Sequence, residues 1–208
     1  MEMAPPIDRR DPAGPTLSRG LCFLYVLPSA YEDQLKLGFS RTPLDRLQSL
    51  HRRWFEVFDL DRAFLVETET VRDARTLELA LRRQLVEHNA PAPLTVRHEA
   101  GGHTEWYRGA YAQLALAAAE FLQQGYVVHD PLQPWLRHAL CVRGELLFSW
   151  TQVMLTPEEL ESIAIAAFTP QQSVVRDALD AYAALDIDLE PLLPESVLRW
   201  YQKVSSNS

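Results

Sequence analysis

"LCFLYVLPSAYEDQLKLGFSRTPLDRL" (21–47) is the stretch that decides the fold. Its first seven residues are a near-continuous apolar run carrying two aromatics, the pattern of a buried strand. "PSAYED" (28–33) reads as a turn. "QLKLGFS" (34–40) then alternates polar and apolar residues, as a half-buried second strand does, so 21–40 is expected to be a hairpin. Thr42 as N-cap, Pro43 at the first helical position and Asp45 in the first turn predict a helix start. Leu44, Leu47 and Leu50 lie on one face of that helix, and Arg46 and Arg53 share another. Lys36 in the second strand and the arginines after it concentrate positive charge at one strand-to-helix corner.

Outward from that corner, "RAFLVET" (62–68) reads as a third strand. "VRDARTLELALRRQLVEH" (71–88) reads as a long helix with Ala74, Leu77, Leu81 and Leu85 at core spacing. Glu78 sits beside that stripe, four residues before Arg82, the spacing of a helix-surface ion pair. Residues 89–103 read as a loop with a short strand around 94–97. An amphipathic helix follows and ends at Gly125, a natural C-cap. Two Thr-Pro helix starts, at Thr156 and Thr169, match the capping-box pattern and predict helices over 157–168 and 170–184. A last helix is expected over 194–203.

The chain has 208 residues, 47% hydrophobic and 23% charged, the composition of an ordinary globular protein. No apolar run approaches the roughly 20 residues that span a bilayer. The Pro- and Gly-rich start reads as a disordered leader (1–19), and not as a signal peptide. Two cysteines far apart, Cys22 and Cys141, suit a reducing cytoplasm and exclude a disulfide scaffold. The histidines show no HxxxH or HExxH spacing, which argues against a zinc centre. The net charge of −8 is uneven: 15 Lys/Arg face 16 Asp/Glu in residues 1–110, but only 5 face 12 in residues 111–208. An acidic second half repels nucleic acid, so any such partner belongs to the first half.

The order of these features resembles the GIY-YIG nuclease superfamily, most closely its phage-T5-type branch. Phe23-Leu24-Tyr25 stands for the first motif, Lys36-Leu37-Gly38 for the second, and Arg46 follows on the helix. Glu78 falls where the family has its metal-binding glutamate, and "TEWYRG" (104–109) resembles the signature that closes the domain. The resemblance covers residues 20–110. It implies an α/β (α+β) fold, a small three-stranded antiparallel sheet flanked by helices, with the domain running over 20–125 and a mainly helical region over 126–208. It also implies a metal-dependent endonuclease acting on DNA, in a phage, mobile-element or restriction setting. Tyr25 would then activate water, Arg46 hold the scissile phosphate, Lys36 add charge, and Glu78 hold Mg²⁺ or Mn²⁺. His51 lies near a family His or Tyr position in looser register. Arg41, Arg52 and Arg53 are candidate backbone contacts to nucleic acid, with a solvated face as the alternative. Glu105 reads either as an accessory acid or as a structural strand-end group.

The pattern departs from the family at two points. Phe23 replaces the small first residue, and Lys36 replaces the second tyrosine, which removes one proton-handling group. The rival reading is therefore a catalytically inactive module of the same shape, binding nucleic acid or a protein. Residues 151–185 bear a weaker resemblance to ribbon-helix-helix DNA-binding domains, with Trp150, Gln152 and Met154 on the expected ribbon. The preferred reading of that region is a set of helices packing on the core or on a second subunit as a homodimer.

Overall fold

The computed structural model describes residues 19–96, 105–161 and 168–206. Its centre is the expected hairpin, β1 (Arg19–Pro28) and β2 (Gln34–Ser40), with β3 (Phe64–Thr70) on the other side of β1. Three short strands extend this sheet: β4 (Asn89–Ala90), β5 (Trp106–Arg108) and β6 (Val128–His129). The result is a six-stranded antiparallel sheet in the order β4-β5-β2-β1-β3-β6. The expected three strands are its middle.

Strand alternation sends side chains to two faces. Leu24, Val26, Leu35, Leu37, Phe64 and Val66 form one core with α3 (Val71–Gln84) and α4 (Tyr111–Gln123). Phe23, Tyr25, Leu27 and Leu65 face the other core. There they meet Leu44, Leu47 and Leu50 of α1 (Pro43–Leu50), and Trp54 of the one-turn α2 (Trp54–Val57). That second core continues into α5 (Gln133–Val142), α6 (Gly144–Met154), α8 (Pro170–Ala183) and α9 (Glu195–Ser205). The C-terminal helices thus cover one face of the sheet. A buried Leu contributes about 1.5–3 kcal/mol, so fully buried Leu132, Leu136 and Leu179 bind this layer firmly.

Local signals account for most helix ends. At Thr169 both halves of the capping box are made, with Gln172 N–H donating to the threonine hydroxyl and Thr169 N–H to the Gln172 side chain. Thr156 and Glu159 make the same exchange at the start of α7 (Pro157–Glu161). The expected continuation of that helix over 162–167 lies outside the described residues, as do the leader up to 18, Arg97, His98 and His103. Gly125, at φ +92°, closes α4 as expected: its N–H bonds to Leu122 O and Tyr126 N–H to Phe121 O. Thr42 differs from expectation, since its side chain makes no cap bond and Pro43 alone begins α1. Thr70, unanticipated, caps α3 by accepting from Asp73 N–H at 3.1 Å. The last turn expected of α3 is a separate 3-10 turn, Val86–His88.

The ribbon expected near 151–155 is not a strand. Trp150, Gln152 and Met154 lie on α6, because "GELLFSWTQVM" satisfies its backbone internally and buries Leu147 and Thr151. A short apolar run carries no periodicity that separates strand from helix. Among the described residues no helix is long and apolar enough to cross a membrane.

Candidate functional site

The site grows out of the β1–β2 ladder. Tyr25 pairs with Gly38 and Leu27 with Lys36, so the phenol and the ammonium leave the same face of the sheet, two residues apart along β2. Gly38 is required there. A Cβ on it would overlap the Tyr25 hydroxyl and ring, so the phenol lies directly across the bare backbone. α1 then brings Arg46 over the same spot, where its Nε donates to Tyr25 Oη at 3.3 Å. The phenol's own proton has no acceptor among the described residues. Tyr25 is 2% exposed and Arg46 partly buried, so Arg46 is the more solvent-accessible member of the pair.

Lys36 is 1% exposed. Its Nζ donates to Glu105 Oε2 at 2.9 Å and lies 5.6 Å from the centre of the Trp106 ring. Glu105 reaches it from the residue before β5, which pairs Trp106 with Lys36. Glu78, from the middle of α3, is 6% exposed. Among the described residues it makes no hydrogen bond; its ion pair with Arg82 Nη1 spans 3.9 Å. The same nitrogen lies 3.8 Å from Glu105 Oε1.

These groups feel one another. Burial pushes the Tyr25 phenol above its ordinary value; Arg46 opposes this by charge and hydrogen bond, and Glu105 and Glu78 add to it. Burial pushes Lys36 down, against the hydrogen bond and charge of Glu105. Burial likewise raises the Glu78 carboxyl, with Arg82 opposing and Glu105 reinforcing the rise. Contacts thus join two groups, Tyr25 with Arg46 and Lys36 with Glu105, Arg82 and Glu78, and the charges of Glu105 and Glu78 act on the Tyr25 phenol.

The remaining sequence candidates lie elsewhere. His51 ends α1, five residues beyond Arg46, and its Nδ1 accepts from Arg53 N–H at 3.1 Å. Arg53 is engaged by acids of the chain itself. It donates to Glu56 Oε2 at 2.7 Å, and to Asp177 and Asp180 of α8 at 2.8 Å each, so it joins α2 to the C-terminal layer. Exposed Arg52 also pairs with Asp177, at 3.4 Å. Arg41 is exposed in the turn before α1. A cleft of about 570 Å³ lies away from the cluster, lined by Glu67, Glu69 and Asp73 among others. Its carboxylates disfavour phosphate.

Sequence reasoning missed the part played by Arg82, taken only as a surface partner of Glu78. It also left Glu105 undecided between two roles. The available signal was the lysine itself: a Lys inside a buried strand needs an acid, and Glu105 precedes β5, the strand that pairs with β2 on its outer side.

The residues fit a divalent cation in one respect. Glu78 is a nearly buried carboxylate held by a single loose ion pair, and Glu105 stands across Arg82 from it. No group of three or more His, Cys, Asp or Glu gathers around a common point among the described residues. A cation here would rely on water and substrate oxygens, the manner of Mg²⁺.

Residues 22–122, from β1 through nearly all of α4, match the T5orf172 domain family. No curated protein and no solved structure matches the chain.

Proposed function

We propose that the chain is a metal-dependent endonuclease of GIY-YIG type, hydrolysing phosphodiester bonds of DNA at the Tyr25–Arg46–Glu78 cluster. The observation that carries this reading is the Arg46–Tyr25 hydrogen bond, made beside a buried carboxylate whose charge acts on the same phenol. Hydrolysis needs a positioned water, a cation for the negative charge developing on the phosphate oxygens, and a proton path to the leaving oxygen. Arg46, the more solvent-accessible of the pair, supplies the cation and orients the phosphate. Tyr25 would take the attacking water's proton at its oxygen while its own phenolic proton passes to the leaving oxygen of the substrate. Glu78 would hold Mg²⁺ or Mn²⁺, which polarises a phosphate oxygen when bound. Lys36, buried under Glu105, acts by fixing that carboxylate and touches no phosphate itself.

Supercoiled plasmid with Mg²⁺ or Mn²⁺ at low salt tests the reading. The wild-type chain should nick it, and Arg46→Ala and Glu78→Ala should each lower the rate by about 10²-fold or more. Activity that survives both substitutions sinks the assignment.

One observation favours a second reading, a catalytically inactive module that binds nucleic acid or protein. Tyr25 and Lys36 are both almost fully buried. DNA binding without cleavage, weakened by Arg46→Ala and indifferent to metal, would select it.

A further inference from the structure

One guanidinium nitrogen stands between two carboxylates. Arg82 Nη1 lies 3.9 Å from Glu78 Oε1 and 3.8 Å from Glu105 Oε1, both beyond hydrogen-bond distance. The two acids are not equivalent. Glu105 has its Oε2 anchored by Lys36 at 2.9 Å, which leaves Oε1 turned toward Arg82. Glu78 is 6% exposed and makes no hydrogen bond among the described residues. A carboxylate so far out of water ordinarily holds several short hydrogen bonds. Arg82 offers it one long contact instead, from a side chain still 35% exposed. An arginine with that exposure can swing its head into solvent and leave its stem on the surface.

We propose that Arg82 is a resident counter-ion of the metal site, occupying the space where a divalent cation binds Glu78 and Glu105 together. The proposal rests on the nuclease reading for Glu78 and adds two roles to it: Glu105 is the second carboxylate, and Arg82 is the group the cation displaces. Lys36 is then a positioning residue that holds Glu105 in place. The exchange changes the charge of the site. Without metal, Lys36 and Arg82 both stand against the two carboxylates. A divalent cation that takes the place of Arg82 adds one positive charge to the site beside Arg46. Metal loading would thereby strengthen its attraction for phosphate.

The test is calorimetric titration of the full chain with Mn²⁺ alone, without DNA. Arg82→Gln removes the competitor and should bind Mn²⁺ several-fold to about tenfold more tightly than wild type. Glu78→Gln and Glu105→Gln should each weaken binding by about tenfold or more. Glu105→Gln strands the buried Lys36 charge and can unfold the chain, so Lys36→Met with Glu105→Gln is measured beside it; that pair should also weaken binding. Unchanged or weaker Mn²⁺ binding in Arg82→Gln overturns the proposal, as does full affinity in a folded Glu105 variant. The two readings fail separately. Plasmid nicking that needs Glu78, with no tightening in Arg82→Gln, removes the counter-ion and keeps the nuclease. The expected Mn²⁺ order with no nicking by any variant removes the nuclease and keeps the metal site.

Discussion

Two clusters of charge among the described residues are built differently. Around Arg53, one guanidinium makes short bonds to three acids, Glu56, Asp177 and Asp180, and Tyr201 donates to Asp180 at 2.8 Å. Around Arg82, two acids are held at 3.8 and 3.9 Å, although one of them, Glu78, is more buried than any acid of the first cluster. The first is saturated and joins sequence-distant elements, as a structural joint does. The second leaves a buried carboxylate short of partners, and such deficits cluster at sites that take a ligand. Positive charge at the β2–α1 corner is therefore divided: Arg46 and Lys36 lie in the candidate site, and Arg53 in the joint.

The largest effect that could break this contrast is on cleavage. Arg46→Ala and Glu78→Ala should abolish nicking while leaving the far-ultraviolet circular dichroism of the fold unchanged, since neither cluster member anchors the sheet. Gly38→Ala is the sharper variant. The added methyl meets the Tyr25 hydroxyl, so the phenol must leave Arg46. We expect most of the activity to be lost, with a destabilisation of about 1–3 kcal/mol from overpacking, read by urea unfolding. Wild-type activity in Gly38→Ala would show that the Tyr25–Arg46 contact is dispensable.

Arg53→Ala should do the opposite. It leaves Asp177 and Asp180 without their shared cation at about 15% exposure, and should cost about 2 kcal/mol, near 5 °C in melting temperature. Nicking at 25 °C should be unaffected. A loss of DNA affinity with no loss of stability would return Arg53 to the role its position in sequence suggested.

What the sequence disclosed follows the same division. Features set by neighbours along the chain were legible: the hairpin at 21–40, the capping box at Thr169 and the Gly125 stop. Features set across the fold were not. Lys36 meets Glu105 across 69 residues, and Arg53 meets Asp177 across 124. Strands β4, β5 and β6 have two or three residues each, too few for any periodicity to show. Arg82 sits at the spacing of an ordinary helix pair with Glu78, so nothing local marks its second acid, Glu105.

Alkaline pH tests the joint more gently. Burial, reinforced by Asp180, raises Tyr201 to about 12, and burial raises Tyr182 to the same value. A raised folded value means that the folded chain holds the proton more tightly. The stabilisation is thus complete below the ordinary tyrosine value near 10 and is lost as pH rises from about 10 to 12. Tyr201→Phe should flatten that loss by about 1–2 kcal/mol in denaturant melts taken across the interval. An equal slope in the variant would mean that Tyr201 ionises no later folded than unfolded.

The smallest effect discriminates most finely within the joint. Arg52 and Arg53 are adjacent and both reach Asp177, but Arg52 is 64% exposed and its Nε stands at 3.4 Å, while Arg53 is 27% exposed with bonds of 2.8 Å. An exposed ion pair contributes little, because water screens it and two long side chains must be held still. Arg52→Ala should therefore shift stability by less than about 0.5 kcal/mol. If it matches Arg53→Ala instead, the acids of α8 respond to total positive charge rather than to one geometry. The saturated joint would then be a diffuse patch, and the contrast with the Arg82 cluster would rest on burial alone.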